Sequence, residues 1–76
     1  MKDVLETIIR NLVDSQDAVE IKEVEGEKTI IFEVKVAEGD MGKVIGREGR
    51  IAKSIRTIMQ SLAAKENKKV IVEFVD

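Results

Sequence analysis

The spacing of the apolar residues changes from helical to alternating and back again along this 76-residue chain, which predicts a mixed fold of helices and strands. In residues 2–14 the spacing is helical and predicts an amphipathic helix with a buried face made of Val4, Leu5, Ile8, Leu12 and Val13. From residue 18 to residue 36 apolar and polar residues alternate, which predicts a β-hairpin with one buried face. Gly26 is predicted to supply the unusual backbone angles of its turn, and Ile31 falls on the outer face.

Two helical pieces follow the hairpin. Asp40 is predicted to be the N-cap of a short helix over residues 41–45, and Gly46 ends that helix. A longer helix is predicted from about Gly49 to Lys65, with a buried face made of Ile51, Ile55, Ile58, Met59 and Leu62.

Alternation returns after a turn at residues 66–68 and predicts a last strand over residues 70–75. Phe32 in the hairpin and Phe74 in this last strand are both predicted to point inward. The order α-β-β-α-α-β predicts an α+β fold in which the helices pack on one face of a three-stranded sheet. We therefore expect residues 1–76 to form a single domain.

The sequence contains neither cysteine nor histidine, and this removes several kinds of chemistry. Thiolate nucleophiles, disulfide frameworks, imidazole bases and the common zinc sites are all excluded. The acidic residues are not paired in a context that would form a pocket, and phosphate-transfer motifs are missing, so we expect no enzyme and no cofactor or metal. No segment has the ~20 apolar residues of a membrane helix, and the acidic start is unlike a signal peptide, so we expect a cytoplasmic protein without membrane or small-molecule partners.

The formal net charge of -2 conceals an uneven distribution of charge. Residues 1–40 hold 11 acids and 5 bases, whereas residues 41–76 hold 8 bases and 4 acids. Between residues 43 and 56 a single acid, Glu48, accompanies the bases Lys43, Arg47, Arg50, Lys53 and Arg56. Such a stripe either solvates a helix face or holds an anion, and the glycines within it favour the anion.

Gly46 and Gly49 bracket a two-residue link between the two predicted helices. A link this short needs permissive backbone angles and little side-chain bulk, both of which glycine provides. It also brings the start of the longer helix to the surface, where unpaired N–H groups and the helix dipole suit a phosphate. The tip of the link and one side of the helix then carry, in order, Arg47, Arg50, Lys53 and Thr57.

The stretch from Asp40 to Ala52, with its I-G-x-x-G-x-I pattern, resembles the core motif of the KH domain. In particular it is similar to the KhpA-like family, the small bacterial single-KH RNA-binding proteins, and the likeness covers essentially the whole chain. The helix before the hairpin implies the type II arrangement, with a mixed sheet whose last strand runs parallel to one hairpin strand. The resemblance further implies that the G-x-x-G loop clamps the backbone of about four unpaired nucleotides.

The basic stripe and this resemblance together predict an RNA site composed of Lys43, Ile45, Gly46, Arg47, Glu48, Gly49, Arg50, Ile51, Lys53 and Thr57. The resemblance implies that Ile45, Ile51 and residues of the second strand line an apolar groove under the bases, although both isoleucines also suit a simple core role. Since both phenylalanines are predicted to point inward, we do not expect bases to stack on aromatic side chains.

Glu48 departs from the family pattern, in which both middle positions of the loop commonly carry basic or neutral polar residues. Its carboxylate would repel a nearby phosphate unless it points away or pairs with a base such as Arg47.

Two function classes fit these observations. One is a single-stranded RNA-binding module that acts as an RNA chaperone or post-transcriptional regulator. The other is a protein-interaction domain whose KH fold mainly dimerises or recruits a partner. The two are compatible, because one KH domain holds so few nucleotides that useful affinity usually needs two linked sites. The resemblance implies homodimers, or heterodimers with a larger KH-containing protein of the KhpB/Jag type.

Overall fold

The computed structural model describes residues 1–75. Its helices and strands follow the predicted order, with bounds within a residue or two of the predicted ones: α1 (Lys2–Leu12), β1 (Glu20–Glu25), β2 (Thr29–Lys35), α2 (Met41–Ile45), α3 (Arg50–Ala64) and β3 (Lys69–Val75). Three single 3₁₀ turns lie at Gln16–Ala18, Glu38–Asp40 and Arg47–Gly49.

The three strands form one mixed sheet in the order β1-β2-β3. β1 is antiparallel to β2, whereas β3 is parallel to β2, with Ile30 beside Val70 and Val34 beside Phe74. Parallel neighbours need a long crossover connection, and the segment containing α2 and α3 provides it. The predicted mixed sheet is confirmed, and the strand that pairs with both of the others is β2.

The core lies between the helices and one face of the sheet, as predicted. Its largest fully buried side chains are Phe32, Leu5, Ile9, Met59, Val34 and Val44. Each buried side chain of this size stabilises the fold by ~1.5–3 kcal/mol, so these contacts dominate the stability of a domain this small. The opposite face of β2 carries Ile31, as predicted, together with Glu33 and Lys35.

The buried faces of the helices differ in detail from the predicted ones. Val4 and Ile58 are 40% and 45% exposed, although both were predicted to be buried. In α3 the alanines Ala52 and Ala63 are buried instead, at 2% and 0% exposure. Small side chains allow a helix to approach a sheet closely, and a prediction that counts only large apolar residues misses them.

Gly26 does not have the unusual backbone angles predicted for it. Within residues 1–75 the residues with positive φ are Gly46, Glu48, Gly49 and Asn67. Gly26 instead allows a close approach, because its N–H donates to the Thr29 carbonyl oxygen at 2.7 Å and a Cβ would lie 3.3 Å from that oxygen. The predicted hairpin is right, and the predicted reason for its glycine is wrong.

The longest helix, α3, has 15 residues and buries only one of its faces. None of the helices in residues 1–75 is long and apolar enough to cross a membrane. The acidic side chains of the same residues form no group of three that would hold a metal ion.

Candidate nucleic-acid interface

The link between α2 and α3 is a tight loop with three left-handed residues. Gly46 has φ 78° and ψ 173°, a combination that is open essentially only to glycine. Glu48 and Gly49 follow with φ 57° and 74°, and the N–H of Gly49 donates to the Gly46 carbonyl at 3.1 Å. The glycine requirement predicted for this loop is confirmed at both positions, whereas the positive φ of Glu48 was not predicted.

Gly46 also meets a steric requirement, because the side chain of Ile51 packs directly against it. A Cβ at position 46 would lie 2.6 Å from Ile51 Cγ1 and 2.9 Å from Ile51 Cβ. At Gly49 nothing lies within 4 Å of the equivalent position, so that glycine is needed for its backbone angle alone. The Gly46–Ile51 contact therefore fixes how closely the end of α2 approaches the first turn of α3.

The first turn of α3 opens at the surface without a side-chain cap. Its N-cap residue, Gly49, has no side chain, and no other side chain bonds to the first N–H groups. The N–H of Arg50, the first residue of α3, donates to the Arg47 carbonyl oxygen, and the positive end of the helix dipole favours an anion at this helix start. The loop therefore presents an electropositive helix start next to the exposed side chains of Arg47 and Arg50.

Glu48 pairs with Arg50 and not with Arg47. The Glu48 Oε2 atom lies 3.5 Å from Arg50 Nη2, and both side chains are more than 70% exposed, at 73% and 78%. A pair this exposed and this long contributes little to stability. The predicted pairing with a neighbouring basic residue is correct in kind, but the partner is the first residue of α3 instead of Arg47 at the loop tip.

Lys53 and Thr57 continue the exposed side of α3 beyond Arg50, at spacings that place all three on one stripe of the helix. The Thr57 hydroxyl donates to the Lys53 carbonyl oxygen at 3.0 Å. The single proton of that hydroxyl is thus used within the helix, and only its oxygen is left to accept a hydrogen bond. The predicted basic edge exists, with Arg47, Arg50 and Lys53 as its charges.

Arg56 and Gln60 attach α3 to the free edge of β3. Arg56 Nε donates to the Val72 carbonyl oxygen at 3.1 Å, and Gln60 Oε1 accepts the Val70 N–H at 3.1 Å. Because later residues of α3 bond to earlier residues of β3, the two run in opposite directions. The start of α3 and its loop consequently lie at the end of the sheet where β3 finishes.

Phe74 lies beside the site at that end of the sheet. It is on the inner face, as its pairing with Val34 requires, but it is only partly buried at the rim of the core. The Arg56 guanidinium carbon lies 5.4 Å from the centre of its ring, a cation–π contact. Both phenylalanines lie on the inner face, as predicted; Phe32 is fully buried and Phe74 is partly exposed, and the absence of base stacking stays a prediction.

Ile45 and Ile51 are half-buried on either side of Gly46 and pack against the rim of the core. The inward residues of β2 are different, because Phe32 and Val34 are 0% exposed and cannot line an open groove. Of the predicted groove residues, the two isoleucines are thus partly accessible, whereas Phe32 and Val34 of the second strand are not. The contact of Ile45 and Ile51 with bases stays a prediction.

A cluster of four residues joins the start of α2 to the segment that follows α1, and we call Asp14, Ser15, Asp40 and Lys43 the Asp40 clasp. Asp40 Oδ2 accepts the Ser15 N–H at 2.9 Å, and Lys43 Nζ lies 3.2 Å from Asp40 Oδ1 and 2.6 Å from Asp14 Oδ2. Asp40 occupies the N-cap position of α2, but its carboxylate makes no capping bond. The predicted capping role is wrong, because the carboxylate is turned toward Ser15.

The clasp shifts the pKa values of Asp40 and Lys43. The hydrogen bond from Ser15 and the nearby ammonium of Lys43 lower the pKa of Asp40 below its ordinary value, against the opposing effect of burial. Asp14 first and Asp40 second raise the pKa of Lys43. At neutral pH Asp40 and Lys43 are thus charged, and the ammonium predicted to contact RNA lies between the carboxylates of Asp14 and Asp40.

A G-x-x-G loop between two helices, with a helix before the hairpin and a parallel last strand, defines a KH domain of type II. Residues 2–74 match the family model described as KhpA/KhpB, KH domain. The chain belongs to this family, and the predicted KH domain is confirmed.

Curated relatives match over almost the full chain. The chain is 59% identical to an RNA-binding protein KhpA of Clostridium acetobutylicum over 75 residues, which cover 99% of this chain and 100% of the relative. It is 55% identical to an RNA-binding protein KhpA of Clostridium perfringens and 53% identical to one of Caldanaerobacter subterraneus, with the same coverage. No solved structure matched the chain. These names agree with the prediction of a binding protein and not an enzyme.

Proposed function

We propose that this chain binds single-stranded RNA, as an RNA chaperone or post-transcriptional regulator, with the Gly46–Gly49 loop clamping about four unpaired nucleotides. The observation that carries this proposal is the geometry of the loop. Its left-handed residues turn the chain so that the uncapped start of α3 opens at the surface between Arg47 and Arg50. The relatives, each named an RNA-binding protein, support the same function.

Each part of the site has its own task in this proposal. Gly46 and Gly49 keep side chains away from the sugar-phosphate backbone, so that it approaches the positive end of the α3 dipole. The exposed basic side chains of Arg47, Arg50 and Lys53 face successive phosphates. The half-buried Ile45 and Ile51 contact the bases, and the Thr57 oxygen lies at the far end of the stripe.

Glu48 weakens this site without removing it. Its carboxylate is paired with Arg50, so part of the positive charge of the edge is neutralised in the free protein. A phosphate that approaches Arg50 must compete with Glu48, and we expect modest affinity for one domain. This observation also favours the second candidate function, a KH-fold protein-interaction module with weak or lost RNA binding.

A binding site that is short and partly neutralised gains much affinity when it is linked to a second RNA site. Linking two such sites raises affinity by making the second contact intramolecular. We therefore propose that the chain works as a homodimer, or as a heterodimer with a larger KH-containing protein of the KhpB type. Light scattering at micromolar concentration should give a dimer, or affinity purification should recover a KH-containing partner. A monomer throughout that range, with no such partner from cell extract, would contradict this part of the proposal.

The salt dependence of RNA binding tests the proposed contacts. Three phosphate contacts predict that log K falls with log salt with a slope of about -2, at about -0.7 per contact on a single strand. Arg50→Ala should make the slope shallower by about 0.7 while base preference is unchanged.

Lys28→Ala is the matched control for this experiment. Lys28 is exposed in the hairpin turn, where its carbonyl accepts the N–H of Lys69 at the start of β3, at the opposite end of the sheet from the loop. The control should keep the slope of the parent protein. A slope that Arg50→Ala leaves unchanged would place the RNA elsewhere on the surface.

A further inference from the structure

The RNA loop is held by two helices of very different strength. α3 has 15 residues and four buried side chains, whereas α2 has five residues and buries only Val44. A helix of one turn is not stable by itself in water, so its orientation depends on the contacts that surround it. Gly46, the first residue of the loop, is the C-cap of this short helix, so its position depends on the same contacts.

The Asp40 clasp is the polar contact that fixes the start of α2. Asp40 is 3% exposed, and within residues 1–75 it is the one buried charged side chain. Its bond to the Ser15 N–H joins residues that lie 25 positions apart in the sequence. Lys43, one turn further along α2, extends the same contact to Asp14. The clasp thus connects α2 to the end of the α1 segment on the side away from the loop.

We infer that the Asp40 clasp positions the loop for RNA, an inference that rests on the proposed function. Lys43 then acts within the clasp and does not contact a phosphate. The ammonium of Lys43 bonds to both carboxylates, Asp14 at 2.6 Å and Asp40 at 3.2 Å. With its charge balanced by two acids, it adds little to the attraction of a phosphate. Its removal would instead loosen α2 and so misplace Gly46.

Asp14 provides a test in which the two interpretations predict effects of opposite sign. Its side chain is 80% exposed, so its replacement leaves the core intact. If Lys43 contacts phosphate, Asp14→Ala removes a competing acid and tightens RNA binding. If the clasp positions the loop, the same change weakens RNA binding, by about two- to fivefold given the small strength of exposed ion pairs.

Asp17→Ala is the matched control, because it removes the same charge three residues away. Asp17 is exposed in the 3₁₀ turn Gln16–Ala18 and forms no ion pair within the described part of the chain. It should leave the affinity unchanged or raise it slightly. If the Asp14→Ala protein binds RNA as tightly as the Asp17→Ala protein, or more tightly, the inference is overturned.

Variants of Lys43 separate positioning from direct contact. Lys43→Met should weaken binding as Asp14→Ala does, and Asp14→Ala added to Lys43→Met should cause no further loss, because the two residues act through one contact. Lys43→Arg preserves the charge and the donors and should restore most of the affinity. A salt slope that becomes shallower by about 0.7 in Lys43→Met, as expected for a lost phosphate contact, would overturn the inference.

An amide spectrum of the RNA-free protein distinguishes failure of the clasp from failure of the proposed function. Asp14→Ala should shift the amide resonances of residues 46–49, more than thirty positions away in the sequence, and Asp17→Ala should not. Unchanged loop resonances in Asp14→Ala would contradict the clasp whether or not the parent protein binds RNA. Shifted loop resonances in a protein that binds no single-stranded RNA would support the clasp and contradict the proposed function.

Discussion

Replacing Arg47 and Glu48 together by aspartate is expected to weaken RNA binding severely while leaving the fold unchanged. The double variant keeps Gly46 and Gly49, and aspartate tolerates the left-handed backbone of position 48 at least as well as glutamate does. It places two carboxylates where the proposal has a phosphate, and attraction becomes repulsion at a site that excludes part of the water. We expect a loss of roughly 2–3 kcal/mol, or about a hundredfold in Kd, measured by fluorescence anisotropy with labelled single-stranded RNA.

The same variant separates the two candidate functions. Exposed loop substitutions usually change stability by less than about 0.5 kcal/mol, so circular dichroism and light scattering should match the parent protein. Lys28→Asp makes an equal change of net charge at the opposite end of the sheet and should retain RNA binding. A protein-interaction module would retain its partners in pull-downs and its activity in cells with either change. Undiminished binding of single-stranded RNA by the folded double variant at low salt would exclude the loop as the clamp.

Gly46→Ala is expected to be the most damaging single substitution in the loop. The added Cβ would meet Ile51 Cγ1 at 2.6 Å, and the backbone angles of position 46 are strained for any residue with a side chain. Backbone strain of this kind costs ~1–3 kcal/mol, and the collision adds to it because Ile51 is β-branched and stiff. Urea unfolding should give a clear loss of stability, and RNA binding should fall even where the variant is fully folded.

Gly42→Ala is the control for that substitution. Gly42 lies in α2 with an ordinary helical backbone, and nothing lies within 4 Å of the position of its Cβ. Alanine is favoured over glycine inside a helix by about 0.8–1 kcal/mol, so this variant should be as stable as the parent protein or more so. A Gly46→Ala protein as stable as Gly42→Ala would contradict the packing described for the loop.

The architecture was predictable because each element of this chain carries its own local signal. Helical spacing, strand alternation and the paired glycines gave the element order, and they gave the loop with its two glycines at positive φ. Which individual helix residues are buried could not be predicted in the same way. Whether Ile58 or Ala63 faces the sheet depends on how closely α3 approaches it, and apolar spacing alone does not encode that distance.

The geometry of the loop could be predicted from the sequence, but the polar contacts around it could not. Arg47, Arg50 and Lys53 lie along one exposed edge, as their spacing indicated. The ammonium of Lys43 bonds to the carboxylate of Asp14, 29 residues earlier, and no local sequence pattern links these two positions. Long-range polar contacts of this kind arise from the packed fold, and only the structure reveals that a basic residue within a basic stripe has acidic partners.

Several parts of the chain converge on one short loop. Ile51 packs under Gly46, Arg56 and Gln60 fix α3 along β3, and the Asp40 clasp holds α2 from the other side. Both helices that carry the loop are therefore anchored at points away from the surface proposed to bind RNA. Such anchoring leaves the charged edge free to bind and reduces the ordering that binding requires.

Mapping amide resonances during a titration with single-stranded RNA tests the loop as the RNA clamp most directly. An oligonucleotide of about eight nucleotides is long enough for two sites of about four. We predict that the largest shifts fall on residues 45–53, at the end of α2, in the loop and along the first turn of α3, while β1 stays unchanged. Shifts confined to the outer face of the sheet around Glu33, with none in the loop, would contradict the account.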